Sequence, residues 1–478
     1  MDVNMGSEKL SPTVIRHKFS IEMSKVYRNE VPLYSDLLEL VTNVNEAFLD
    51  SHPALRETMR QTKQLERLQY ERHGAIRLGT AEEMKAMARF LAVMGMQPVG
   101  YYDLAQPPAH LPIHATCFRC TDLESLSVNP FRLFVSVLRP ECISVKLRSK
   151  ALEILSRRQI FSDQCLELVS LAESTGGLTA NQADQFIAEG IETFKWRGSA
   201  TVSLSEYQEL QEENPLLADI VAFPGPHINH LTPRTLDIDE VQLQMEKQGI
   251  PLKEIIEGPP ARNCPILLRQ TSFKALKEGV FFPVSLDQSG SQNGMVLGSH
   301  TARFGEIEQR GVALTEKGRA LYDHLVNEAW KNGVTPQDPE AYTDLFRAFP
   351  DTWEELRQYG LAWFRYYVST DKADLNDDRF NMTVDDLIQQ GSICYEPMTY
   401  EDFLPLSAAG IFRSNLRKTS SQDDSSGQED MSGASRDALQ ASLGMPILDE
   451  IQTYEKLQKE SLIGCKKYFG IPLGVEHN

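Results

Sequence analysis

The stretch FPGPHINHLTPRTLDIDE, residues 223–240, decides how the rest of the chain is read. It is an extended, proline-punctuated segment that carries histidine to the edge of a helix-start signal at Asp237. In extended backbone His227 and His230 point to opposite faces, so only one of them reaches a given site. His230 is the preferred ligand: it lies closer to the helix start and follows Asn229, which could fix its orientation. Two further stretches give it meaning, ERHGAIRLGTAEE around His73 and TARFGEIEQRG around Glu306. Together they supply two imidazoles and one carboxylate, the set that holds non-haem Fe(II) on one face and leaves other positions open.

Around this stretch the chain alternates strand and helix. A short extended piece ends near Arg77, and Thr80 with Glu83 forms a capping box. Met84, Met87, Ala88 and Leu91 then share a helix face up to Gly95, and QPVGYYDL follows as a strand. The same order returns in VAFPGPHINHL, a helix over 237–248, and strands in PILLRQTSF, VFFPVSL and ARFGEIEQRG, with 285–294 a hairpin loop. Residues 11–68 read as a helical cover and about 130–213 as a helical insertion, marked by a second capping box at Thr179 and Gln182. The expected fold is therefore α+β, a curved mixed β-sheet from two strand-helix-strand modules, wrapped by helices. Residues 1–415 form the expected catalytic domain, 416–440 a polar mobile loop, and 441–478 a helix docking through Ile447, Ile451 and Tyr454.

Composition narrows the function classes. With 41% hydrophobic and 24% charged residues, the 478-residue chain can bury a large core. A net charge of -19 excludes broad nucleic-acid binding by phosphate neutralisation. No apolar run reaches the roughly 18 residues of a membrane span. Seven scattered cysteines, with Cys117 and Cys120 the one CxxC, fit reduced thiols, and the cytoplasm is the expected compartment.

His73 and Arg77 are four apart on one strand face, about 13 Å along the backbone. A metal at the first would face a guanidinium fork suited to a carboxylate at the second. Glu306 and Glu308 also share a face, so one is expected to be coordinated or bridged and the other served by Arg303 or Arg310. His110, His114 and His300 are expected to be structural or surface residues.

The segments ERHGAIR, MGMQPVGYYDL, GPHINHLTPRTLDID, ILLRQTSFKAL, RFGEIEQRG and EDFLPLSAAGIFRSNL together resemble the 2-oxoadipate dioxygenase/decarboxylase family. The histidine and glutamate segments also resemble those of 4-hydroxyphenylpyruvate dioxygenase, a vicinal-oxygen-chelate protein. The resemblance implies a vicinal-oxygen-chelate-like sheet and Fe(2+) bound by His73, His230 and Glu306. It further implies Arg77 on the distal carboxylate of the substrate and a contact from Leu406 and Ser407. The implied reaction takes 2-oxoadipate and O2 to D-2-hydroxyglutarate and CO2 in lysine catabolism. Two other readings compete: a metal-dependent lyase or isomerase of a small 2-oxo acid, separable by oxygen uptake, and a non-catalytic storage or scaffold homologue. The oligomeric state is left open.

Overall fold

The computed structural model describes residues 8–106, 109–253, 255–273, 277–284, 294–301, 303–369, 382–404 and 428–470. The chain gathers into two compact units, whose bounds do not follow the domain divisions expected from the sequence. The first comprises Met1–Ile256, Gln270–Gln309 and Asp402–Leu448; the second comprises Glu257–Arg269, Arg310–Glu401 and Asp449–Asn478.

The first unit carries a curved, mixed seven-stranded sheet. Its strands are β1 (Arg72–Leu78), β2 (Gln97–Asp103), β3 (Ile113–Arg119), β4 (Arg132–Leu138), β5 (His230–Thr235), β6 (Leu268–Ser272) and β9 (Glu306–Arg310), in the order β2-β3-β4-β1-β5-β9-β6. β7 (Lys277–Pro283) and β8 (Met295–Thr301) form a separate antiparallel pair. β1 lies at the centre, parallel to β4 and antiparallel to β5, with Ala75 opposite His230. The two expected modules are present: β1, helix Ala81–Val93, β2, and then β5, helix Ile238–Lys247, β6. Thr80 caps the first helix and Asp237 the second, each side chain accepting the backbone N–H three residues on.

Four helices, Pro12–Glu30, Leu33–Ser51, Pro53–Gln61 and Gln64–Tyr70, build the amino-terminal cover. Ile15, Phe19, Met23 and Tyr27 recur every four residues, and all are buried in the main core. The Tyr27 hydroxyl donates to the carbonyls of Asn229 at 3.1 Å and Phe304 at 2.8 Å, tying this helix to the backbone beside two candidate ligands.

The helical insertion begins later than expected. β4 lies within 130–213, and the helices Val145–Ser156, Asp163–Thr175, Ala180–Ile191 and Leu204–Glu213 follow it. RLFVSVL is buried at all seven positions, so its side chains lack the in-out alternation that betrays a half-buried strand. β3, IHATCFR, is likewise buried throughout, and it carries the buried His114.

A second correction concerns 416–440. Residues to 427 lie outside the described ones, as does most of the expected 285–294 loop, but Gln428–Leu443 is a helix. Leu439 and Leu443, four apart and buried, hold it, and Gly444 at φ +72° ends it. Ile447 thus precedes the terminal helix, which runs from Glu450 to Phe469.

The second unit has the helices Glu316–Lys331, Pro339–Leu345 and Trp353–Gln358, and a two-stranded sheet of β10 (Phe364–Val368) and β11 (Ile393–Pro397). The terminal helix lies along β10, where Gln458 and Ser461 accept the N–H groups of Phe364 and Tyr366 and so satisfy that strand's edge. Among the described residues no helix is long and apolar enough to cross a membrane.

Candidate metal centre

Three strands of the large sheet each bring one side chain to the same point. His73 is the second residue of β1, His230 the first of β5 and Glu306 the first of β9. One ligand atom from each lies within 4.8 Å of the others, and all three side chains are buried. Small residues beside them allow the approach. A Cβ on Gly74 would meet Ile228 Cδ1 at 2.5 Å, and one on Gly305 would meet the Phe273 ring at 1.8 Å.

The first imidazole is oriented from both sides. His73 Nε2 stands 2.9 Å from Glu306 Oε1, and Nδ1 stands 2.8 Å from Glu308 Oε2. Carboxylates only accept, so both ring nitrogens face acceptors: Glu308 takes the Nδ1 side and orients the ring, and Nε2 is the nitrogen directed toward Glu306 and His230. Glu308 is served by His73 and, at 3.7 Å, by Arg132 Nη1. Of the two expected arginines, Arg303 pairs with Glu30 and Glu278, and Arg310 donates to the Tyr400 carbonyl. Arg132 also pairs with Glu71 at 2.7 Å, and Arg67 and Arg234 share that carboxylate. Burial alone would raise the Glu71 carboxyl, but the three guanidinium groups hold it well below the ordinary range.

Glu306 accepts from Thr232 Oγ1 at 3.0 Å and Gln270 Nε2 at 2.7 Å, both on Oε1. Its Oε2 and His230 Nδ1 are buried with no hydrogen-bond partner among the described residues. An unpartnered carboxylate oxygen in a dry pocket is costly unless an ion or ligand takes it. Burial lowers the His230 pKa to about 4, so this imidazole is neutral at pH 7, the form that ligates metals. At His73 burial acts the same way, but Glu308 and Glu306 outweigh it and raise the pKa. Phe403 packs edge-on against His73 at 4.9 Å and Phe304 lies 4.8 Å from His230, two apolar walls that keep bulk water from the ring nitrogens. The donor set is the 2-His-1-carboxylate type, so a divalent first-row metal fits it.

Arg77 lies four residues beyond His73 on β1, and its charge adds to burial in lowering His230. Its Nη1 donates to Asp219 Oδ2 at 2.6 Å. Leu406 and Ser407 lie outside the described residues. His227 does not join His73; it belongs, with His300 and Asp219, to a second buried cluster. Sequence reasoning missed Thr232, Gln270, Asp219 and Phe403, and the part Glu308 takes at His73.

A family model described as 2-oxoadipate dioxygenase/decarboxylase matches residues 19–415. The chain is 49% identical over 469 residues to the 2-oxoadipate dioxygenase/decarboxylase of Pseudomonas putida, covering 96% of this chain and 98% of that one. The Escherichia coli protein of the same name is 50% identical over 458 residues, covering 94% and 97%. The crystal structure of the Pseudomonas putida hydroxyglutarate synthase in complex with 2-oxoadipate matches with a TM-score of 0.85 at 46% identity, covering 97% of this chain and 100% of that one.

Proposed function

This chain belongs to the 2-oxoadipate dioxygenase/decarboxylase family, and from that premise we propose that it converts 2-oxoadipate and O2 to D-2-hydroxyglutarate and CO2 at a centre where His73, His230 and Glu306 hold Fe(II). The atoms balance: both oxygens of O2 are retained in the products and no second 2-oxo acid is consumed. The observation that carries the reading is the convergence of two imidazoles and one carboxylate from β1, β5 and β9 on a single buried point.

When bound, Fe(II) supplies a Lewis acid that the 2-oxo acid can chelate and at which O2 can be reduced. The chain's own residues do the rest. Glu308 takes the Nδ1 side of His73 and orients the ring, so Nε2 is the nitrogen that points inward. Thr232 and Gln270 fix Glu306 through Oε1 and leave Oε2 directed elsewhere. Phe304 and Phe403 wall the two imidazoles and exclude bulk water from the centre. Arg77 takes the distal carboxylate, so the carbon chain is held in one orientation and reacts as an intramolecular partner of its own 2-oxo group. Leu406 and Ser407 complete the substrate contacts in this reading. It also assigns the enzyme to lysine catabolism in the cytoplasm, in keeping with seven free cysteines.

The test is anaerobic loading with Fe(II), addition of 2-oxoadipate, and admission of O2 with product analysis. One O2 consumed per D-2-hydroxyglutarate and CO2 formed is the expected result. Turnover without oxygen uptake would replace this reading with a lyase that uses its metal as a Lewis acid only.

A further inference from the structure

Asp219 sits in the short helix Pro215–Val221, PLLADIV, among Leu216, Leu217, Ala218, Ile220 and Val221, all buried. A carboxylate in such a setting has to be paired, and this one is paired on both oxygens. Oδ2 accepts from Arg77 Nη1 at 2.6 Å. Oδ1 faces His300 Nε2 at 2.8 Å and His227 Nε2 at 3.3 Å. The other nitrogen of His300, Nδ1, lies 2.9 Å from the Tyr207 hydroxyl, carried by helix Leu204–Glu213.

The proton positions follow from the chemistry of the groups. Asp219 only accepts, so His300 carries its proton on Nε2, and its bare Nδ1 accepts from Tyr207. Burial, aided by the Asp219 charge, pushes the Tyr207 hydroxyl up to about 12, which keeps it protonated and donating. Trp196 holds both imidazoles, stacked on His300 at 5.9 Å and 12° and edge-on to His227 at 4.7 Å. Arg303 in turn lies over Trp196 at 5.0 Å.

Two imidazoles and one carboxylate within 4.8 Å of one another also have the composition of a metal site. The charge already present argues against that use. Arg77 occupies one oxygen of the carboxylate, and a dication on the other would stand a few ångströms from a permanent cation. What the arrangement does instead is hold one end of the guanidinium. A long side chain that is ordered before the substrate arrives loses little further freedom on binding. Its charge is also balanced while the site is empty, as burial requires.

We propose that Asp219, held in place by His300 and Tyr207, is a positioning residue for Arg77 and thereby sets the preference for dicarboxylic over monocarboxylic 2-oxo acids. This rests on the reading of Arg77 as the partner of the distal carboxylate. The helices after β4 then serve the site directly, because they deliver Tyr207 and Asp219 to the far end of the substrate pocket.

The experiment is steady-state kinetics on the Fe(II)-loaded full-length enzyme with 2-oxoadipate and with 2-oxohexanoate, which has the same six carbons and no distal carboxylate. Wild type, Asp219→Asn, Tyr207→Phe and Arg77→Ala are compared, with iron content measured for each. Asp219→Asn is expected to raise KM for 2-oxoadipate about tenfold, with a far smaller change in kcat, in KM for 2-oxohexanoate and in bound iron. Tyr207→Phe deletes one hydroxyl and should shift the same ratio about two- to threefold; it carries the test alone if Asp219→Asn fails to fold. Equal losses on both substrates, or loss of iron in the Asp219 variant, would overturn the positioning role. If Arg77→Ala abolishes the dicarboxylate preference while Asp219→Asn and Tyr207→Phe leave it intact, only that role fails. If Arg77→Ala leaves the preference intact, the reading of Arg77 itself is wrong.

Discussion

Two buried clusters in the same unit each bring together two histidines and one carboxylate, His73, His230 and Glu306 in one, His227, His300 and Asp219 in the other. By residue type they are the same site. They differ in what already neutralises the carboxylate. Glu306 is surrounded by a hydroxyl, an amide and imidazoles, and keeps one oxygen without a hydrogen-bond partner among the described residues. Asp219 carries an arginine on one oxygen and histidine on the other. The first is built to receive positive charge, whereas the second has received it. Ligand identity and spacing alone do not separate a metal centre from a salt-bridge anchor; the local charge balance does.

Removing one imidazole from each cluster gives the largest expected difference between them. His230→Ala should abolish stoichiometric metal binding and lower turnover by more than about a thousandfold, because one of three protein ligands is gone. His227→Ala should keep its metal and most of its turnover. Metal analysis and oxygen-electrode rates on both variants check this, and metal loss in the His227 variant alone would reverse the assignment.

Glu308→Gln comes next. Its amide cannot hold the Nδ1 proton of His73 as a carboxylate does, so metal affinity should fall about 10- to 100-fold while the fold persists. Competition with a chelator measures it, and unchanged affinity would remove Glu308 from the support of the centre.

Arg77→Ala addresses the second cluster. A charge-assisted pair with a partly desolvated carboxylate contributes about 1.5–3 kcal/mol, so kcat/KM for 2-oxoadipate should fall tenfold or more. Metal content should stay near that of the wild type, as equilibrium dialysis would report.

That His73, His230 and Glu306 meet was legible because each carries a local marker. The first stands four before Arg77 on one strand face, the helix start at Asp237 closes the segment of the second, and the third shares a strand face with Glu308. The two strand-helix-strand modules were legible for the same reason, through the caps at Thr80 and Asp237. β3 and β4 were not, since IHATCFR and RLFVSVL are buried on both faces and show no period that distinguishes a strand from a buried helix. Asp219 left a faint signal, one acid inside PLLADIVAF. Its partners come from positions 77, 227 and 300, and nothing local announces contacts that far apart in sequence. His300 was set aside for want of such a marker, although it holds Asp219 from β8.

The smallest expected effect is on acid stability. Burial would raise the Asp219 carboxyl, but Arg77 and the two histidines outweigh it and hold it well below the ordinary aspartate value of 3.8. The stability this contributes is complete above the unfolded value and is lost as pH falls through the lower folded one. Urea midpoints followed from about pH 6 to pH 3 should therefore decline less steeply in Asp219→Asn than in wild type. Parallel curves would show that the Asp219 charge is not what stabilises the second cluster.

The distinction between the two clusters is tested most directly by anomalous diffraction at the iron edge from crystals of the Fe(II)-loaded enzyme grown without oxygen. The account predicts one strong peak per chain, between His73 Nε2, His230 and Glu306, and none beside Asp219. A peak enclosed by Asp219, His227 and His300, with the first position empty, would contradict it.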